Sequence, residues 1–423
     1  MHYKKTNLKN GLRIITVPML ETQTVTVVVM VGVGSRYESE KEAGLSHFIE
    51  HMLFKGTEKR PTTLSIAEEL DAIGGEFNAF TSKDSTGYYV KVDAKHMDIA
   101  LDVVSDMYLN SKIEKVELEK ERGTIIQELN MYEDMPIRNI GDVFENLLYP
   151  GTNLGRDIIG YKKTISNFKR KDFLAYMKKF YLANDTVICV AGKFDEKKIV
   201  LQIKKYFHEM PEGKKPQLKK VKELQKAPAV KIKFKKTDQT QLVVGVRAYA
   251  LHSEKRFALS LLSIILGGNM SSRLFIEVRE KKGLAYYVRT NTEAFEECGY
   301  LATQAGVEHK NLTLALETIL AEYRKIATEK VAEKELQKAK DYIKGKMVMG
   351  MEASDEVAMF HVGQELTRRE ILKRAEIFAR IDKVTPADIL KIAKDIFRAE
   401  KLNLAIIGPH KNSEKLQKML LLR

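Results

Sequence analysis

The sequence predicts an α+β protein of two homologous domains, each a mostly antiparallel sheet with helices packed on one face. Three observations carry this. Alternating, β-branched segments and amphipathic helical segments succeed one another along the chain. A Pro-, Gly- and Lys-rich stretch with few apolar positions, PEGKKPQLKKVKELQK (211–226), interrupts them. The order of segments before that stretch then recurs after it. The expected division is residues 1–210, a linker at 211–226, and residues 227–423. At 423 residues the chain is also too long for one compact core.

In the first half, GLRIITVP and TVTVVVMVGVGS read as strands bounded by turn residues. AGLSHFIEHMLFKGT carries a helix expected to end near Lys55-Gly56, where glycine supplies a C-cap. SIAEELDAIGG (65–75) is a second amphipathic helix, and GGEFNAFTSKDSTGYYVKVDA alternates as a hairpin turning at SKDS. Helices follow at HMDIALDVVSDMYLNS and over 114–134. The pattern stays helical after residue 140 until TVICVAGKF, a strand, and KKIVLQIKKYFHEM, a helix. Beyond the linker, AVKIKFKKTDQTQLVVGVRAYA gives two strands and KRFALSLLSIILGG a helix. GLAYYVRTNTEAF and GYLATQAGVE form another strand pair, and NLTLALETILAEYRKI and KELQKAKDYIKGKMVMG are helices.

Composition narrows the function classes. A hydrophobic fraction of 44% with 30% charged residues belongs to a soluble globular protein. No apolar run reaches bilayer-spanning length, so no membrane segment is expected. Strand-like sequence begins by Leu12, so no signal or transit peptide is expected. The two cysteines, Cys189 and Cys298, form no metal motif and suit a reducing, cytoplasmic compartment. The net charge of +14 is spread over amphipathic helices and the linker without an aromatic-basic module, so no nucleic-acid partner is expected.

The chemistry concentrates in His47-Phe48-Ile49-Glu50-His51. On a helix, His47 and His51 stand one turn apart with Glu50 near the same face. Two imidazoles so placed can share a tetrahedral zinc, and a neighbouring carboxylate can take a proton from a metal-bound water. The order H-x-x-E-H is the inverzincin arrangement. A third ligand is needed that leaves one position open. Glu121 and Glu128, seven residues apart on one face of the 114–134 helix, are both candidates by spacing. Aligning the two halves places Leu259, Leu262 and Ser263 opposite His47, Glu50 and His51. It also sets Ala339 and Lys346 opposite Glu121 and Glu128, so the second half lacks every special residue of the first.

HFIEHMLFKGT, GGEFNAFTS, the Glu121–Glu128 spacing and SSRLFIEVREKKGLAYYV together resemble the pitrilysin-like M16 zinc metallopeptidases. The likeness is to short bacterial members similar to the mitochondrial processing peptidase β subunit, and it runs essentially end to end. It implies His47, His51 and Glu128 as zinc ligands, Glu50 as general base, and Glu121 as an acidic residue beside the site that orients a ligand. Zinc is expected at one ion per subunit. The resemblance further implies that GGEFNAFTS is a substrate-binding edge strand with Asn78 and Ala79 at its centre. Arg279 and Tyr286 match a pair that binds substrate and stabilises developing oxyanion charge; on the bare sequence Arg279 is a solvated helix residue and Tyr286 a half-buried strand residue. The implied function is a zinc-dependent endopeptidase acting on extended peptides or unfolded segments in a chamber. The alternative is a catalytically silent structural or chaperone-like member. Relatives of about twice this length enclose the chamber between two such units. A homodimer is therefore expected, with a heterodimer with an inactive relative as the alternative.

Overall fold

The computed structural model describes residues 2–218 and 220–420. Its first half contains β1 (Lys4–Asn7), β2 (Arg13–Pro18), β3 (Thr24–Val31), α1 (Leu45–Met52), α2 (Thr63–Asp71), β4 (Glu76–Thr81) and β5 (Thr86–Asp93). Then come α3 (Met97–Asn110), α4 (Lys115–Asp134), α5 (Pro136–Leu148), α6 (Lys162–Asn167), α7 (Arg170–Phe180), β6 (Thr186–Gly192) and α8 (Glu196–Phe207). The second half begins with β7 (Ala229–Phe234), β8 (Thr240–Ala248), α9 (Arg256–Gly267), a π-helical segment (Phe275–Lys281), β9 (Ala285–Ala294) and β10 (Gly299–Val307). It closes with α10 (Leu312–Thr328), α11 (Glu333–Gly350), α12 (Ser354–Arg368), α13 (Arg374–Asp382), α14 (Pro386–Ile396), β11 (Leu402–Gly408) and α15 (Ser413–Met419). The linker 211–226, of which Lys219 lies outside the described residues, carries no helix or strand among those described.

The repeat read from sequence is a repeat of topology. One sheet has the order β1-β2-β6-β3-β5-β4 and the other β7-β11-β8-β10-β9, the same arrangement without the short β1. In each, one pair is parallel, β2 with β6 and β7 with β11, and the remaining pairs are antiparallel. The fold is α+β with two sheets, as expected.

Each compact unit, however, takes a helical segment from the other half of the sequence. The first unit comprises 1–130, 156–219 and 347–373; the second comprises 131–155, 220–346 and 374–423. The exchange follows from strand alternation. In the first sheet, Ile14, Val27, Val29 and Val31 face the core shared with α1 and α3, while Ile15, Val17, Val28 and Met30 point to the opposite side. Those opposite residues are apolar and need a cover of their own. Val357, Ala358 and Val362 of α12 supply it. The second sheet presents Val243, Ala405 and Ile407 to Ile140, Val143, Phe144 and Leu148 of α5 in the same way. Helices thus cover both faces of each sheet, one more face than the sequence suggested.

Candidate metal centre

The α1 helix is short and strongly anchored. Leu45, Phe48, Ile49 and Met52 recur at helical spacing and are all buried, and the Phe48 ring lies edge-on to Phe173 at 4.9 Å. That packing turns His47, Glu50 and His51 onto the opposite, half-buried face. The helix ends at Met52, short of the expected Lys55-Gly56. Its start is fixed by Gly44 at φ +96, followed by an unusual cap. The buried carboxylate of Glu38 accepts from the N–H groups of Gly44 (2.8 Å) and Ser46 (2.7 Å). Burial raises its pKa to about 7 against the pull of those bonds.

Glu121 and Glu128 reach this face from α4. Leu118, Glu121 and Ile125 are buried along one stripe of that helix, and Glu128 continues the stripe at its half-buried end. Two carboxylates therefore occupy positions where an ordinary packed helix would put leucine. The donor atoms of His47, His51 and Glu128 all lie within 4.8 Å of one another. His47 Nε2 is 3.7 Å and His51 Nε2 3.6 Å from the same oxygen, Glu128 Oε2. Ligand atoms around a tetrahedral zinc stand about 3.4 Å apart, so each imidazole is within a few tenths of an ångström of that spacing from the Glu128 oxygen. Two imidazoles and one carboxylate are the donor types that catalytic zinc sites use, a fourth position there being kept for water.

The protonation of His47 suits metal binding. Burial, with the nearby His51, pulls the His47 pKa down to about 3, so this imidazole is neutral and its lone pair available. Among the described residues, its Nδ1 is buried without a hydrogen-bond partner. His51 is held differently. Its Nδ1 meets Glu121 Oε1 at 2.8 Å, and Lys55 Nζ meets Glu121 Oε2 at 2.6 Å. Burial opposes ionisation of Glu121, but the bonds from His51 and Lys55 outweigh it and hold the pKa below the ordinary range. An ionised carboxylate only accepts, so His51 carries its proton on Nδ1 and directs Nε2 toward Glu128. Burial lowers the His51 pKa, and the Glu121 bond with the charges of Glu128 and Glu121 more than reverses that.

Glu50 stands beside this cluster, within electrostatic reach of His51 and Glu128. Burial raises its pKa, while a hydrogen bond from the Thr81 hydroxyl to Oε2 (2.5 Å) and the charge of His51 oppose the rise. Lys55 and Thr81 are thus parts of the site that the sequence reading passed over. Thr81 had a signal: it sits at an inward-facing position of an alternating strand, where a hydroxyl needs a partner.

The expected substrate strand, β4, stands at the edge of its sheet and, among the described residues, pairs only with β5. Asn78 is exposed and Ala79 half-buried, and the Ala79 N–H donates to the Asn78 side-chain oxygen at 2.8 Å. Arg279 and Tyr286 lie in the second unit and meet each other there. The Arg279 guanidinium carbon is 4.7 Å from the Phe275 ring centre and 5.0 Å from that of Tyr286. The pair borders a cleft of about 580 Å³, and Tyr286 is 78% exposed rather than half-buried. Arg279 belongs to the π-helical segment, a wider turn than the plain helix expected. Among the described residues, no helix is long and apolar enough to cross a membrane.

Residues 13–161 match the family model described as insulinase (peptidase family M16), and residues 167–343 match the peptidase M16 inactive domain. An uncharacterized zinc protease of Streptomyces coelicolor is 34% identical over 97% of this chain and 90% of its own length. One from Bacillus subtilis is 33% identical over 97% of this chain and 99% of its own. Among solved structures, a protease from Helicobacter pylori has the same fold. Its TM-score is 0.90 at 22% identity, covering 96% of this chain and 99% of that one.

Proposed function

The chain belongs to peptidase family M16, and from that premise we propose that it is a zinc-dependent endopeptidase of extended peptides or unfolded segments. The observation that carries this reading is the convergence of His47, His51 and Glu128 on one point, with His51 oriented through Glu121. Zinc held by His47, His51 and Glu128 would supply Lewis acidity at this point. The protein supplies the rest. Glu50 takes a proton from the attacking water and returns it to the departing amine, a role that suits a carboxylate whose pKa burial has raised. An extended peptide adds to the open edge of β4 by main-chain hydrogen bonds, which tolerates many side chains. Asn78 releases the Ala79 N–H to the incoming strand.

Arg279 and Tyr286 supply donors for the tetrahedral oxyanion. In a homodimer the pair of one copy serves the zinc site of the other. One zinc per subunit completes the assembly, and a reducing compartment such as the cytoplasm suits the buried thiols of Cys189 and Cys298.

Cleavage of a quenched fluorescent peptide tests the reading. Activity should vanish on chelation and return with zinc, and Glu50→Gln should bind zinc yet cleave about 10²- to 10⁴-fold more slowly. A Glu50→Gln protein with full activity removes the base assignment, and a zinc-loaded wild type that binds peptides but never cuts them favours the silent, structural alternative. Mixing Glu50→Gln with Arg279→Ala chains should restore part of the activity; mixed dimers that stay inactive exclude completion between subunits.

A further inference from the structure

Thr81 is the last residue of β4, and strand alternation puts it on the same face as Phe77 and Ala79. Both of those pack into the core that holds α1. A threonine thus ends an otherwise apolar row, and its hydroxyl, half-buried, finds its partner in Glu50 Oε2 at 2.5 Å. The terminal torsion of a glutamate is intrinsically soft. A short bond to one oxygen removes that freedom and leaves Oε1 as the oxygen to meet a water.

Thr81 is itself held from behind. The turn that follows closes through Ser82 N–H to Ser85 O (2.8 Å), and the segment before α1 clamps it from outside. Ser35 N–H donates to Ser82 O and Arg36 N–H to Lys83 O, each at 3.1 Å. Gly34 permits this approach, because a Cβ there would lie 2.2 Å from Ser82 O. Three residues before Thr81, by contrast, β4 presents Asn78 to an open edge.

From this arrangement we infer that Thr81 is a positioning residue for Glu50, its hydroxyl fixed by the clamped hairpin turn so that it orients the base carboxylate. The inference rests on the reading of Glu50 as base. One strand then has two tasks: its centre takes the peptide and its end aims the base. The two tasks predict different kinetic signatures.

The test uses the full-length, zinc-loaded protein. Thr81→Val keeps the shape and removes the donor, whereas Thr81→Ser keeps the donor. Valine should lower kcat about 10- to 100-fold, with KM and the zinc affinity measured against a chromogenic chelator both within about twofold of wild type. Serine should restore most of kcat, and Asn78→Ala should act chiefly by raising KM. Full kcat in the valine variant overturns the inference, as does a loss of kcat that comes only with loss of zinc, or a serine variant as slow as valine. If wild type shows no zinc-dependent cleavage, the endopeptidase reading fails and takes the inference with it. A cleaving wild type matched by the valine variant fails the inference alone.

Discussion

The two halves of the chain share one strand order and differ at one helix face. On α1, His47, Glu50 and His51 stand on the side turned away from the core. Their counterparts by alignment on α9 are Leu259, Leu262 and Ser263, exposed by only 3%, 0% and 7%. The partner helices diverge likewise, with Ala339 buried where the first half has Glu121 and Lys346 exposed where it has Glu128. The helix starts differ as well. A buried carboxylate caps α1, whereas Lys255 precedes α9 with no side-chain cap. The same topology therefore accommodates a donor cluster in one unit and an ordinary core in the other. A ligand set needs its helix rotated so that donors look outward, its start fixed, and carboxylates brought in from a second helix.

That contrast can be broken from either side, with the largest effect expected at the donors. Glu128→Gln should cost more than about 100-fold in zinc affinity, beyond what losing an outer partner costs, whereas Lys346→Glu should leave metal binding unchanged. Isothermal titration with zinc measures both. A second change asks whether α9 can imitate α1. Leu262→Glu places a carboxylate at a fully buried position without a partner and should destabilise the fold on the order of 4 kcal/mol, read from denaturant unfolding. A stable variant would mean that the α9 face can turn outward.

The outer partners come next. Lys55→Met removes the cation that helps to keep Glu121 ionised, and zinc affinity should fall about 10-fold, while Lys55→Arg should largely retain it. Chelator competition on the purified variants reads the difference.

The smallest effect concerns the cap. Glu38 binds its proton up to about pH 7 in the folded chain, against a reference value of 4.5. A pKa raised on folding contributes stability that is complete below the unfolded value and is lost as pH rises through the folded one. Unfolding free energy should therefore decline between about pH 4.5 and 7 through this group, and Glu38→Gln should flatten that part of the profile. An unchanged slope would assign the pH dependence elsewhere.

The sequence displayed some of these features and concealed others, for physical reasons. His47-x-x-Glu50-His51 was legible because helical spacing alone brings the three together. The repeat was legible because its strands alternate in the same order on both sides of 211–226. Periodicity placed Glu121 and Glu128 on one face but could not choose between them, since that depends on how α4 lies against α1. Distance from the chain's local pattern hid the rest. Lys55 lies beyond the end of α1 and reaches Glu121 across 66 positions, and Thr81 reaches Glu50 across 31. The exchange of α5 and α12 was hidden for a related reason. An amphipathic helix announces that it has an apolar face, not which sheet that face will cover.

On the proposed function, one zinc held by His47, His51 and Glu128 makes the first unit a peptidase. Stripping the protein of metal and restoring zinc in measured steps, while following cleavage of a quenched peptide, tests it most directly. Activity should rise linearly and break at one equivalent per chain, and Glu128→Gln should show neither the rise nor the break. Cleavage that survives stripping, or a wild type that takes up its one zinc and cuts nothing, would contradict the account.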